Sequence, residues 1–243
     1  MPKLNEMRIQ KRLTTGFIIT TAITSIGAIL GIIALIFISN RYTYALQNYG
    51  FSQGDIGKAM IMFADTRSST RGIISYDDAD LIASMVESYD TNKQKFENYW
   101  DTVHNTLTTS EEEAIYQSIN NLLTNYWTKE NEVIALSNTT DQAQKTQAQT
   151  VMNDTLAPMY EEIYSQMVNL LNINVDEGNA LDNKLNILGI IILAVIIIVV
   201  IISVIVSTKL GIIIAKGISE PLIALRNRLI TFEQGDLSTD FPV

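Results

Sequence analysis

Arg67 and Arg71 stand four residues apart in Asp65-Thr-Arg67-Ser-Ser-Thr-Arg71, so on a helix both project from one face, a turn apart. A guanidinium presents a rigid fork of donors that grips a carboxylate with paired hydrogen bonds. Two of them beside an apolar stripe suit a small anionic or zwitterionic solute. The competing reading is ordinary ion pairing with Asp65, Asp154 or Glu161 on an acidic helical surface. Other chemistry finds little to work with. The chain of 243 residues has no cysteine, so disulfides and thiolate metal sites or nucleophiles are out. His104 is the single histidine, lies in polar surroundings and reads as a surface residue. No glycine-rich phosphate loop, metal-ligand set, or nucleophile with a base at motif spacing is present. No catalytic residue, cofactor or metal is therefore expected, and the chain is not expected to be an enzyme. Tyr99-Trp100 and Tyr126-Trp127 could form an aromatic cage, but at helical spacing they read as core.

The arginines must be held by helices. From 41 to 185 apolar residues recur at three and four positions in four stretches: Tyr49, Ile56, Met60, Phe63 and Ile74; Ile82, Met85, Tyr89, Phe96, Tyr99, Val103 and Leu107; Ile115, Ile119, Leu122, Tyr126, Val133 and Leu136; Met152, Leu156, Met159, Ile163, Leu170 and Ile173. Four amphipathic helices with one stripe each can bury those stripes only against one another. The breaks are legible too. Asp77-Asp78-Ala79-Asp80 is a turn with an N-cap, Ser110 to Glu113 matches a capping box, and Ser137 to Asp141 is a short polar connection. Short loops make neighbouring helices antiparallel. Gly50, Gly54 and Gly57 weaken the start of the first helix, and Pro158 should kink or restart the fourth.

Two uncharged apolar runs flank this bundle. Phe17 to Ile38 and Ile187 to Val206 are 22 and 20 residues long. At about 1.5 Å per residue the shorter reaches roughly 30 Å, the thickness of a bilayer's hydrocarbon core. The first run is too long for a secretory signal and no small-x-small site follows it, so it is expected to stay as an anchor. Gly27 and Gly31 share one of its faces and would admit a neighbouring helix. The first 13 residues carry Lys3, Arg8, Lys11 and Arg12 against Glu6, and Lys209 and Lys216 follow the second run. Such cations mark the cytoplasmic side. Both termini are then cytoplasmic in a multi-pass inner (plasma) membrane protein, with the bundle periplasmic or extracellular. Between 41 and 185 the chain carries 21 acidic and 9 basic residues, a net of −12. An acidic outer domain excludes nucleic acid as a partner, because phosphate binding needs clustered cations.

Height along the bundle names the arginines' opposite wall. Arg67 and Arg71 lie 27 to 31 residues beyond Asn40, roughly 40 to 46 Å at helical rise. The same distance back from Asn186 along an antiparallel fourth helix reaches Thr155 to Met159. Thr150, Asn153, Thr155 and Tyr160 are therefore candidate ligand-binding partners of Arg67 and Arg71.

Beyond the second run, Leu222, Leu225, Leu229 and Phe232 are spaced three, four and three, a coiled-coil seam that Pro221 opens at a tolerated first-turn position. Gly235-Asp236-Leu237 and Phe241 then make a Gly-x-apolar-x-x-x-apolar connector. These residues resemble the start of a HAMP signalling module, and Pro221, Gly235, Asp236 and Leu237 are the signalling positions the resemblance implies. A HAMP module needs a second helix after its connector, whereas this sequence stops at Val243. The sequence is thus expected to be part of a longer receptor, or its HAMP half is unfolded or completed by another protein. The whole chain resembles the N-terminal sensory half of a methyl-accepting chemotaxis receptor of the four-helix-bundle type. Arginines at this place in the first helix occur in the amino-acid-binding members; one a turn or two earlier in those falls where this chain reads Ala59-Met60-Ile61-Met62. The resemblance implies a homodimer, solute sensing outside, piston-like movement of the fourth helix and second span, and cytoplasmic signalling partners. The same front end occurs on sensor histidine kinases and cyclic-dinucleotide enzymes. A membrane-anchored adaptor sensing through a partner protein or the lipid bilayer is a further alternative.

The expected fold is an all-α membrane protein: an antiparallel four-helix-bundle extracytoplasmic domain between two transmembrane helices, followed by the first HAMP helix. Its segments are a cytoplasmic tail at 1–16, the first transmembrane helix at 17–39, the sensor domain at 40–186, the second transmembrane helix at 187–208 and the incomplete HAMP module at 209–243.

Overall fold

The computed structural model describes residues 9–234. Among the described residues every regular element is helical: α1 (Ile9–Ala45), a π turn (Leu46–Gly50), α2 (Phe51–Ser75), α3 (Ala79–His104), α4 (Ser110–Ser137), α5 (Gln142–Val151), a second π turn (Met152–Leu156) and α6 (Ala157–Glu233). The chain forms two compact units, Asn40–Leu185 on one hand and Met1–Ser39 with Asn186–Val243 on the other.

Within Asn40–Leu185, α2, α3, α4 and the α5–α6 line enclose one core. Phe63 on α2 is its centre. The Phe63 ring stacks on Tyr160 at 4.9 Å and meets Tyr126 at 5.0 Å, Phe96 at 5.7 Å and Trp127 at 5.7 Å, so one side chain touches each of the other three helices. Offset and edge-on rings of this kind add to the burial energy of the aromatics themselves. Thr106 of α3's C-terminal turn donates to Ser52 at 2.8 Å while Asn92 donates to Ser69 at 3.5 Å, so numbering falls along α3 as it rises along α2. The stripes seat one residue away from expectation at five places, with Ile73, Trp100, Tyr116, Leu123 and Tyr160 buried where Ile74, Tyr99, Ile115, Leu122 and Met159 are only partly covered.

Local chemistry fixes the helix ends. Asp78 caps α3 by accepting from the backbone N–H groups of Asp80 at 2.9 Å and Leu81 at 3.1 Å. Asp141 does the same for Ala143 at 2.8 Å. The capping box of α4 is Thr109 with Glu112, not Ser110 with Glu113. Glu112 is fully buried and reaches back to the Thr108 and Thr109 N–H groups, whereas Glu113 sits on the rim beside Gln117 and His104, so burial chose the register.

The two expected weak points are both π turns. At Leu46–Gly50 the glycine closes the turn and α2 begins at Phe51. At Met152–Leu156 the wider turn runs directly into α6, and Pro158, which has no N–H to give the ladder, follows two residues later.

The other unit holds the apolar segments, and both lie in helices long and apolar enough to cross a membrane. Phe17, Leu35 and Ile190 are strongly exposed, as a hydrocarbon surrounding would favour. Hydroxyls in these segments bond backwards to the helix itself, Thr20 to the Gly16 carbonyl at 3.0 Å and Ser203 to that of Val199 at 2.8 Å. A methyl group at Gly27 would press on Val199 at 3.3 Å, so this glycine does admit a close helix; Gly31 has open space.

Helix α6 corrects one expectation. Pro221 does not open a new helix but lies inside Ala157–Glu233. The carbonyl its ring must clear, four residues back, belongs to Gly217, whose missing side chain gives that turn room to adjust. Gly235, Asp236 and Leu237 fall outside the described residues.

Candidate functional site

Arg67 occupies a boundary position on α2, between the buried run Phe63–Thr66–Thr70 and solvent. Its guanidinium lies over the Tyr160 ring, 4.0 Å from the centroid, and Nη1 donates to Glu161 Oε1 at 3.1 Å. The Arg67 side chain is 15% exposed and that of Glu161 69%. The cation is thus sandwiched between an aromatic floor and an acid free to leave for water. Nε is buried and makes no hydrogen bond, so one donor of the fork remains unused. Burial raises the Tyr160 phenol's pKa and the nearby Arg67 cation pulls it back.

The other expected partners are distributed around this clamp rather than gathered by it. Arg71 is exposed one turn further along α2. Asn153 and Thr155 lie on the second π turn, the former exposed and the latter half-buried, and Thr150 spends its hydroxyl on the Thr146 carbonyl at 3.0 Å. Among the described residues no hydrogen bond or ion pair joins Arg71, Asn153 or Thr155 to Arg67. Of the six named residues the structure brings Arg67 and Tyr160 together, and the ion pair with Glu161 is the alternative partner read from the sequence.

The tryptophans pack on core rings and, with Tyr116 and Asn120, also line an open pocket between α3 and α4. Trp100 stacks between Phe96 and Tyr116, at 6.0 and 4.8 Å, and donates to Asn120 Oδ1 at 2.7 Å. Lys93 covers the Trp127 ring at 5.0 Å. His104 stacks on Tyr116 at 4.7 Å and stands 3.4 Å from Glu113.

Two fully buried carboxylates were not singled out from the sequence: Glu112 heads the buried face of α4 and Glu130 interrupts it. Glu130 follows Leu123 and Tyr126 at the same spacing and precedes Val133. Its Oε1 accepts from Thr70 Oγ1 at 2.8 Å and from the Tyr126 hydroxyl at 3.2 Å. Burial pushes the Glu130 carboxyl up to about 7 against these hydrogen bonds, which favour the ionised form. The Tyr89 hydroxyl is close enough for it and Glu130 to perturb one another, but the geometry falls short of a hydrogen bond, and Glu130 Oε2 and the Tyr89 oxygen both stay unpaired. Glu112, by contrast, is saturated by Thr108, Thr109 and Asn174. Asn174 uses the same amide nitrogen to donate to the Asn48 carbonyl at 3.2 Å, inside the first π turn, and to Glu112 at 3.1 Å.

Among the described residues the chain is helical throughout its regular elements, with one aromatic-centred bundle and two apolar helices of membrane-crossing length. Residues 6–188 match the family described as the four helix bundle sensory module for signal transduction, and the chain belongs to it. The likeness to the sensory half of methyl-accepting chemotaxis receptors is thereby carried over that range. No curated protein and no solved structure matches the chain.

Proposed function

We propose that this chain is the sensory module of a transmembrane chemoreceptor. It detects a small anionic or zwitterionic solute outside the membrane and passes the signal by displacement of α6, through the second span, to a HAMP module and cytoplasmic partners. Its bundle is an antiparallel one in a homodimer, both termini are cytoplasmic, and it performs no catalysis of its own.

The observation that carries the reading is Arg67 between Tyr160 and Glu161. Both partners belong to α6, the helix that also contains the second apolar segment. An exposed ion pair is worth only about 0–1 kcal/mol. A solute carboxylate can therefore replace Glu161 on Nη1 at little cost, and the exchange alters what ties α2 to the start of α6. A homodimer is supported by Leu222, Leu225 and Leu229, which are all 40% exposed or more and form an apolar seam outside the apolar run.

The test uses the full chain in lipid nanodiscs, screened by thermal shift against organic acids and amino acids. Arg67→Ala with Arg71→Ala should abolish the shift of every hit. Glu161→Gln should strengthen binding several-fold by removing the competing carboxylate. Hits that survive the double arginine variant would sink the site assignment.

A further inference from the structure

A carboxylate sealed in a helical core without an ion-pair partner has few ways to stay ionised. Glu130 is fully buried on α4. Each helix packed against it contributes differently. From α2 come Thr70, which donates to it, and Arg67, whose charge acts on Tyr126 beside it and whose Nη1 is engaged by Glu161. From α3 come the unpaired Tyr89 hydroxyl and Lys93, the cation whose field favours the ionised carboxylate; Asp90 and Glu97 on the same helix act on Tyr89 with the opposite sign. From α4 itself comes Tyr126. The α5–α6 line presents Tyr160 and Glu161, both held on Arg67.

Two donors serve one oxygen of Glu130 and none serves the other. An ionised carboxylate left half-satisfied in a core is costly, and protonation removes most of that cost. We propose that Glu130 is a proton-binding site built into the sensor core, so that the pH outside the membrane is a second input to the bundle, separate from the solute clamp at Arg67. With the proton on, the core is neutral and closed as described. With the proton off, the charge draws Lys93, a cation whose field reaches Glu130, inward and off the Trp127 ring that it now covers at 5.0 Å. Proton loss thus changes the packing of α3 on α4, which a purely structural glutamate would not do in the neutral range.

Burial holds the carboxyl's midpoint at about 7, within reach of ordinary external pH. The chain has two tryptophans, and Trp127 touches Tyr126 at 5.2 Å, so intrinsic emission reports on this site.

The experiment titrates the full chain in phosphatidylcholine nanodiscs from pH 5 to 9, following tryptophan emission with circular dichroism as a check on folding. The expected result is a single transition near pH 7 that is lost in Glu130→Gln and kept in Glu161→Gln and in His104→Gln, the latter excluding the single imidazole. Thr70→Val removes a hydrogen bond to the ionised form and should lift the midpoint by about one pH unit, a tenfold gain in proton affinity. A wild-type chain with no transition overturns the proposal, as does a transition that persists in Glu130→Gln. Should Glu130→Gln fail to fold, a midpoint that Thr70→Val leaves unmoved overturns it equally.

Discussion

At the scale of single residues the outer unit is governed by what happens to charge when water is removed. The Arg67 head reaches the boundary with water and rests on an aromatic face. Glu130 does not have that option. Its folded carboxyl binds a proton more tightly than the unfolded one, so its stabilising effect is complete below about pH 4.5 and is lost as pH rises to about 7. Glu177, raised by burial and by neighbouring Glu112, acts in the same direction. The thermal midpoint of the full chain should accordingly fall between pH 5 and pH 8, with roughly 3 kcal/mol at stake at Glu130. Glu130→Gln should flatten that slope, measured by circular dichroism melts; an unchanged slope would count against Glu130 as its source. Lys145 illustrates the same physics at another place. Nearly buried, it donates to the Tyr76 carbonyl and pairs with Asp77, holding α5 to the α2–α3 turn. Lys145→Met should cost about 1–3 kcal/mol by leaving the Tyr76 carbonyl unsatisfied.

At the scale of elements, two joints matter. One is aromatic. Phe63→Ala should destabilise the bundle by about 3–5 kcal/mol, because the cavity opens in the middle of four rings that have no other common partner. The other is polar and sits at the first π turn. There the backbone leaves its regular ladder, and Asn174 of α6 takes up the Asn48 carbonyl while holding Glu112 of α4. One amide thereby fixes the register of α6 against both α2's lead-in and α4. Asn174→Ala should cost about 2–4 kcal/mol, since a buried carboxylate and a carbonyl lose a donor together. Asn174→Asp should be worse, placing a second acid against Glu112. Chemical denaturation of the two variants, compared with Phe63→Ala, checks the order.

At the scale of the whole molecule, the apolar segments and the exposed seam ask for surroundings that one chain does not supply. Large aliphatic side chains exposed along both segments find them in a bilayer. In the proposed homodimer Leu222, Leu225 and Leu229 find theirs in a second copy. Cysteines placed at Leu225 or Leu229, in a chain with no other cysteine, should crosslink between copies in membranes far faster than one at Arg226. Equal rates at all three positions would count against a parallel seam.

The sequence by itself determined the elements, because the forces that make them are local and periodic. Stripes at three and four residues mark helices, two uncharged runs mark spans, and Asp78 and Asp141 mark helix starts. The presence of weak points at Gly50 and Pro158 was legible for the same reason, though their resolution as π turns was not. Tertiary structure decided what depends on neighbours distant in sequence. It chose Thr109 over Ser110 as the cap by burying Glu112, carried α6 unbroken through Pro221, and paired Arg67 with Tyr160 and Glu161 across 94 residues while leaving Arg71 in solvent. It also turned Glu130 from one acid among many into a titrating group. A carboxylate at a stripe position is visible in a sequence, but its proton affinity is set by which hydroxyls and cations three other helices bring to it.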